Sequence, residues 1–157
     1  MTTSHVLLLA LLLGVFNGLR ALSPPAVTAW GGHLGWIALR SPFAWLGTLP
    51  AAIIFTVLAI GELVNDKLPK TPPRTAPPGL IARLVMGALV GGSVATAGGA
   101  SLVTGLACGI VGALIGTFGG YFIRTRLVKA LGAPDFIIAL LEDAVTIAGS
   151  FWVVSRF

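Results

Sequence analysis

The chain has 157 residues, of which 56% are hydrophobic and only 10% charged, and its mean hydropathy is +0.98. A soluble domain carries about 25% charged residues on its surface. This composition therefore excludes a water-facing globular domain and predicts a surface that mostly contacts lipid. At about 20 residues per transmembrane helix, a single domain covering residues 1–157 has room for five or six spans.

The chain is basic, with ten Lys and Arg against five Asp and Glu and a formal net charge of +5. In a soluble protein such an excess would suggest nucleic acid. Here the bases crowd into two short connections between apolar stretches, as the positive-inside rule of membrane proteins requires. We therefore expect the lipid bilayer, and no nucleic acid, as the partner. No Lys or Arg precedes the first apolar stretch, so we expect it to be retained as a helix.

The hydrophobic stretches predict an all-α, polytopic transmembrane bundle. The segment after Pro24 and Pro25 is too short for an easy crossing and suits a re-entrant or interfacial helix. Five spans plus this short helix is the preferred arrangement, with the chain ends on opposite sides. Six spans is the alternative, with both ends outside. The predicted stretches, in chain order, are 5–22, the short segment 26–39, 43–64, 80–97, 102–123 and 134–154.

Two polar connections fix the predicted orientation. Residues 65–79 contain five prolines and form a stiff, basic loop. Residues 124–133 form a second basic loop. Two helices separate these loops, so both can lie in the cytoplasm.

Glycine patterns suggest close helix packing. The sequence Gly14-Val-Phe-Asn-Gly18 resembles Gly116-Thr-Phe-Gly-Gly120, and in a five-span chain the two helices would run in opposite senses, as in a weak inverted repeat. Tight packing inside the bundle is one interpretation of the glycines, and the other is a homo-oligomer seam or a sliding surface in a moving part. The glycines of one helix face are at positions 105, 109, 112, 116, 119 and 120.

Acidic residues inside the last apolar stretch are the most informative feature. Glu142 and Asp143 lie near its middle, where a charge costs roughly 2.5 to 3.5 kcal/mol on insertion scales. Adjacent residues point about 100° apart on a helix, so both cannot share one partner. Arg20, late in the first span, is the natural counter-charge. The pair either fixes helix order or forms a functional polar site, and Glu62 lies either in that site or at the interface.

The charged residues around the first basic loop allow two interpretations. They enforce topology, or they form a cytoplasmic gate or a pocket for anionic lipid headgroups. This set is Asp66, Lys67, Lys70, Arg74 and Arg83.

No catalytic or metal-binding set is recognisable. His5 and His33 make no ligand pattern with the acids, and Cys108 is alone within an apolar stretch. The glycines lie within hydrophobic helices and form no phosphate-binding loop. We therefore expect neither an enzyme nor a cofactor or metal site.

The central run Gly61-Glu-Leu-Val-Asn-Asp-Lys-Leu-Pro-Lys-Thr-Pro-Pro-Arg-Thr-Ala-Pro-Pro-Gly-Leu-Ile-Ala-Arg83 resembles the signature of the small bacterial membrane proteins grouped as domain of unknown function 4126. Gly18-Leu-Arg20 and Glu142-Asp143 resemble that family's opening and closing motifs. The resemblance implies a compact multi-pass fold in the bacterial inner membrane and no particular activity. It also implies that the charged residues named above form one group with a shared role.

Our leading hypothesis is a small transporter or channel-like protein with a polar intramembrane site of Arg20, Glu62, Glu142 and Asp143. One positive against up to three negative charges favours protons or small cations. One alternative is an anionic-lipid-handling protein, such as a scramblase, a flippase or a lipid-binding protein. The other is a non-transporting scaffold or assembly factor.

Overall fold

The computed structural model describes residues 1–66, 75–132 and 134–157, and these form helices and no β-strand. The all-α prediction is confirmed. A short 3-10 helix, Ala44–Gly47, precedes α3. The six α-helices are α1 (Thr3–Leu19), α2 (Ser23–His33), α3 (Leu49–Asn65), α4 (Pro77–Ala97), α5 (Leu102–Leu131) and α6 (Asp135–Val154).

The length and surface of the helices support a membrane protein. Three of the described helices, α4, α5 and α6, are long and apolar enough to cross a bilayer, and α1 and α3 are apolar helices of 17 residues. Large apolar side chains cover the outside, including Val57 at 63% and Val103 at 72% exposure. Such a surface is unfavourable in water, and in hydrocarbon it has no such cost.

Helices α1, α4 and α5 form a first group, the first triplet, that packs through glycine. A Cβ added at Gly91 of α4 would lie 2.6 Å from the Gly109 Cα of α5, and one added at Gly14 of α1 would lie 3.0 Å from the same atom. On the next turns, Gly18 of α1 meets Gly116 of α5. Because backbones approach this closely, dispersion contacts hold the triplet where lipid removes the hydrophobic effect. These glycines are thus occupied within the chain.

Helices α2, α3 and α6 form a second triplet, with α2 in the middle. Trp30 of α2 donates its indole N–H to Thr56 of α3 at 2.9 Å. On the other side of α2, Gly31 lies against Val154 of α6. The two triplets meet through a buried apolar cluster that includes Leu13 of α1 and Val153 of α6.

The two ends of the bundle differ in character. The charged end, where α1, α3 and α5 finish and α4 and α6 begin, joins Arg20 to Asp66 and Asp143. At the opposite end, Gly98 of the α4–α5 turn meets both Val6 and Phe157. Both chain ends therefore lie at this opposite end, as in the six-span alternative. The preferred five-span arrangement placed them apart.

The path of the short second helix explains this difference. α2 has only 11 residues, and its last turn already reaches the end of α6, because a Cβ added at Gly31 would lie 2.3 Å from Val154 Cγ1. Residues 34–48 stay near this end of the bundle: Trp36 packs against Phe151 of α6 at a ring distance of 5.9 Å, and Gly47 lies against Gly32. The 3-10 helix then leads into α3, which returns to the charged end.

Two further sequence expectations differ from the structure. α5 continues through the basic stretch to Leu131 and ends at Gly132, whose left-handed φ of 58° suits glycine. Most of the loop expected at 124–133 is therefore helical, because Arg, Leu and Lys are good helix formers. In addition, α1 and α5 are parallel. Gly14 of α1 contacts Gly109 of α5, and the later residue Gly18 contacts the later residue Gly116. Their similar GxFxG motifs therefore form no inverted repeat.

We expect Gly109→Ala to destabilise the bundle by about 1 to 3 kcal/mol, because the new methyl group would meet the backbone of Gly87 and Gly91. Gly119→Ala is the matched control on the same helix, where nothing lies within 4 Å of the added Cβ. Unfolding in detergent followed by circular dichroism measures both. Equal stability of the two variants would contradict this account of the packing.

Candidate functional site

The described ion pairs divide between the two triplets by sign. All five acidic residues of the chain lie on the second triplet, at the end of α3 or on α6. In the ion pairs among the described residues, their partners are arginines of the first triplet: Arg20 at the end of α1, Arg83 on α4 and Arg124 on α5. Every described ion pair therefore joins one triplet to the other at the charged end.

Arg20 is the centre of this arrangement. It is the C-cap residue of α1, where a positive charge favours the helix dipole, and its exposed fraction is 0%. Its Nε donates to Asp143 Oδ1 at 2.6 Å, and its Nη1 pairs with Asp66 Oδ2. One guanidinium thus links α1 to both α3 and α6. Buried charges are tolerated only with such partners.

Asp143 lies within the length of α6 and away from its frayed start. It is eight residues beyond the first residue of α6, or about 12 Å along the axis at 1.5 Å per residue, and it is 7% exposed. Asp143 is thus enclosed by protein.

Glu62 holds the junction between α1 and α2. Its two carboxylate oxygens accept the backbone N–H groups of Ala21 and Leu22, each at 2.8 Å. The first turn of α2 contains Pro24 and Pro25, which have no backbone N–H group that needs a hydrogen-bond partner. The Glu62 carboxylate therefore accepts hydrogen bonds from two backbone amides between α1 and α2. Without it these amides would have no hydrogen-bond partner in hydrocarbon.

Glu62 and Asp66 act together because they are one helical turn apart on α3. Asp66 holds the side chain of Arg20, and Glu62 holds the two amides that follow it. Two acids at a helix C-terminus oppose the helix dipole. Their position is therefore explained by the cation and amides that they bind and not by the stability of α3 itself.

Arg83 forms a second link near Glu62. Its Nη2 lies 3.7 Å from Glu62 Oε1, and its Nε donates to the Gly18 carbonyl at 3.1 Å. The Arg83 carbonyl accepts from Asn17 Nδ2 at 2.8 Å. Arg83, only 4% exposed, therefore ties α4 to the end of α1 as well as to α3.

Arg124 forms the third link. Its Nε and Nη2 donate to the two oxygens of Asp135 at 2.8 and 2.6 Å, and its Nη1 donates to Glu142 at 3.4 Å. A cleft of about 250 Å³ lies beside it, between α5 and α6. Glu142 and Asp143 thus bind different arginines on different helices, as their angular separation on α6 requires.

The structure regroups the predicted site residues. Arg20 and Asp143 come together as expected, but Glu142 joins Arg124 and not Arg20. Asp66, expected at a cytoplasmic gate or lipid pocket, is a direct partner of Arg20. Arg83, from the same predicted set, lies on Glu62. Lys67, Lys70 and Arg74 lie outside the described residues.

Sequence reasoning missed several polar residues of the charged end. Arg124 was expected in the loop at 124–133, Asp135 was assigned only to the last apolar stretch, and Asn17 was noted only within the Gly14–Gly18 motif. Within the described chain, buried oxygens of Asn17, Ser23 and Thr146 have no hydrogen-bond partner. Polar residues inside apolar stretches were the available signal. Buried hydroxyl and amide oxygens usually bind a polar group or water.

The described residues contain no group of three His, Cys, Asp or Glu side chains that could hold a metal ion. The acids are instead distributed among arginines. The chemistry available at this site is therefore ion pairing, proton exchange on carboxylates, and hydrogen bonding by backbone amides.

Comparison with known proteins identifies a family. The family model described as Domain of unknown function (DUF4126) matches residues 7–155, nearly the whole chain. This confirms the resemblance found in the sequence. No curated protein and no solved structure matches the chain significantly.

We expect Arg20→Gln to destabilise the protein by roughly 3 to 5 kcal/mol, because it leaves the buried carboxylate of Asp143 and the partly buried carboxylate of Asp66 without this cation. Adding Asp143→Asn should recover part of the loss, since one uncompensated charge disappears. A double-mutant cycle of unfolding free energies in detergent measures the coupling. Additive effects would mean that the two side chains do not interact.

We expect Glu62→Gln to expose the α1–α2 junction. A glutamine has one acceptor oxygen, so one of the amides of Ala21 and Leu22 loses its partner. Hydrogen exchange followed by mass spectrometry should show faster exchange at residues 20–23, with little change in the α4–α5 turn. Unchanged exchange at the junction would contradict the assigned role of Glu62.

Proposed function

The chain belongs to the DUF4126 family, and from the structure of this member we propose a small membrane transporter whose two helix triplets separate and rejoin at the charged end. The coupling species is a proton or a small cation. The observation that carries the proposal is the segregation of charge, with arginines on one triplet and their carboxylate partners on the other.

An interface of this kind suits a contact that breaks and re-forms. Replacing a buried ion pair by apolar residues of similar volume is often neutral or stabilising. Stability alone therefore gives no reason to place three buried or half-buried ion-pair groups at one end of an otherwise apolar interface. Ion pairs respond to protonation and to competing cations, and packed leucine and valine side chains do not. The opposite end, with its apolar cluster, supplies a natural hinge.

Asp143 is the coupling residue in this proposal. Its protonation would remove one of the two anions that hold Arg20 and would leave Asp66 as the other. α6 would then lose its ion pair with α1, while α3 would keep its own. The unpartnered hydroxyl of Thr146, one turn further along α6 toward the opposite end, offers a polar surface for a passing ion or water.

The orientation that fits best has the charged end in the cytoplasm. The α3–α4 connection and the end of α5 carry six basic residues by sequence, which the positive-inside rule assigns to that side. Six passages, with α2 and the following irregular segment as the second, then place both chain ends outside. The basic residues are Lys67, Lys70, Arg74, Arg124, Arg126 and Lys129.

The proposal is tested by ion entry into proteoliposomes. Liposomes hold a pH-sensitive or sodium-sensitive dye, and a potassium diffusion potential drives cations inward. We expect the wild-type protein to accelerate proton or sodium entry several-fold over protein-free liposomes, and Asp143→Asn to abolish the acceleration. A loss of tenfold or more corresponds to at least about 1.4 kcal/mol in the barrier.

Glu142→Gln is the matched control, because Glu142 is adjacent and pairs with Arg124 outside the Arg20 group. It should retain most of the ion entry. Equal loss in both variants would remove the special role of Asp143. Wild-type protein that admits protons, sodium and potassium no faster than empty liposomes would overturn a cation-coupled transporter.

A further inference from the structure

The cleft between α5 and α6 is separate from the Arg20 group. It has a volume of about 250 Å³. α6 packs mainly on α1 and α2 and makes fewer contacts with α5. A groove therefore runs along the bundle surface, at the seam between the two triplets.

The walls of this groove are mostly apolar. Ile123 and Leu127 of α5 face Leu141 and Val145 of α6, and the charged lining residues are Arg124 and its ion-pair partner Glu142. Most of these side chains are also partly exposed at the helix surface. A guest in the groove would therefore contact methyl and methylene groups along most of its length, as a hydrocarbon chain does.

One end of the groove is basic. Arg124 lines it, and Arg126 and Lys129 follow on the last turns of α5. Arg126 lies over the ring of Phe122 at 4.1 Å, which leaves the guanidinium edge exposed to solvent or headgroups. The groove thus combines an apolar channel with a cationic mouth at the charged end.

We propose that this groove binds one membrane phospholipid, with an acyl chain along the apolar walls and its phosphate on Arg124. The charge pattern favours a lipid over a second copy of the chain. An anionic phosphate complements the basic mouth, whereas a second copy would bring the same basic residues against each other. This site differs from the basic connection at residues 65–79 that the sequence suggested for anionic lipid.

Asp135 is the group that the phosphate would displace. It is the most exposed member of the Arg124 group, with 63% of its side chain accessible, whereas the side chain of Glu142 is 9% accessible. An exposed arginine–carboxylate pair contributes little to stability, so a phosphate can replace this carboxylate at small cost. Glu142 would keep its contact on the inner side of the guanidinium.

Native mass spectrometry of the detergent-purified full chain with 1-palmitoyl-2-oleoyl-phosphatidylglycerol tests the proposal. We expect one lipid to be retained, and Arg124→Gln and Val145→Trp each to lower retention about tenfold, the first by removing the phosphate partner and the second by filling the groove. Arg156→Gln, at the opposite end of the bundle, and Val57→Trp on α3 are the matched controls outside the groove and should retain the lipid. Circular dichroism checks that all variants keep their helicity.

Asp135→Asn gives an outcome of opposite sign. It should raise retention several-fold, because the competing carboxylate is removed. A fall in retention would show that the Arg124–Asp135 pair only shapes the structure, and would overturn the proposal.

Two ligand controls separate the parts of the lipid. Diacylglycerol with the same chains should be retained about tenfold less, since it lacks the phosphate, and inorganic phosphate should not compete, since it lacks the chain. Competition by inorganic phosphate alone, or a change of oligomeric mass in Val145→Trp without loss of lipid, would overturn the phospholipid assignment.

Discussion

Charge buried among hydrocarbon-facing helices is tolerated only in pairs, and this constraint governs the charged end of the molecule. Every acid of the chain is on α3 or its C-cap or on α6, and their arginine partners are on α1, α4 and α5. Each pair therefore fixes the relation of one triplet to the other. The fully buried Arg20, which binds acids on two helices, is the point at which this relation is most tightly held.

Glycine packing and ion pairing have different roles in the same bundle. The first triplet is held by backbone contacts such as those of Gly91 and Gly109, which allow no added atoms and leave little freedom. The contact between the triplets uses apolar side chains at one end and ion pairs at the other. In the proposed transporter, the first triplet would move as one unit against the second, and the ion pairs would be the contacts that change.

The groove and the Arg20 group lie on the same seam between the triplets. Leu19 lines the groove, and the next residue is Arg20 itself. A phospholipid bound beside Arg124 would contact both α5 and α6, and it would therefore respond to any change in their separation. If the triplets move as proposed, lipid retention and ion flux should depend on one another through this seam.

The sequence by itself predicted a lipid environment and most of the helices, because a helix that crosses a bilayer must be about 20 residues long and largely apolar. It also identified Arg20 as the counter-charge for Glu142 or Asp143, since an intramembrane charge needs a counter-charge. Only the tertiary structure decided that Glu142 faces Arg124, that Asp66 joins Arg20, and that the basic stretch after Ile123 remains helical. The direction of each helix and the choice among several nearby counter-charges depend on how the helices pack, and local sequence does not encode this.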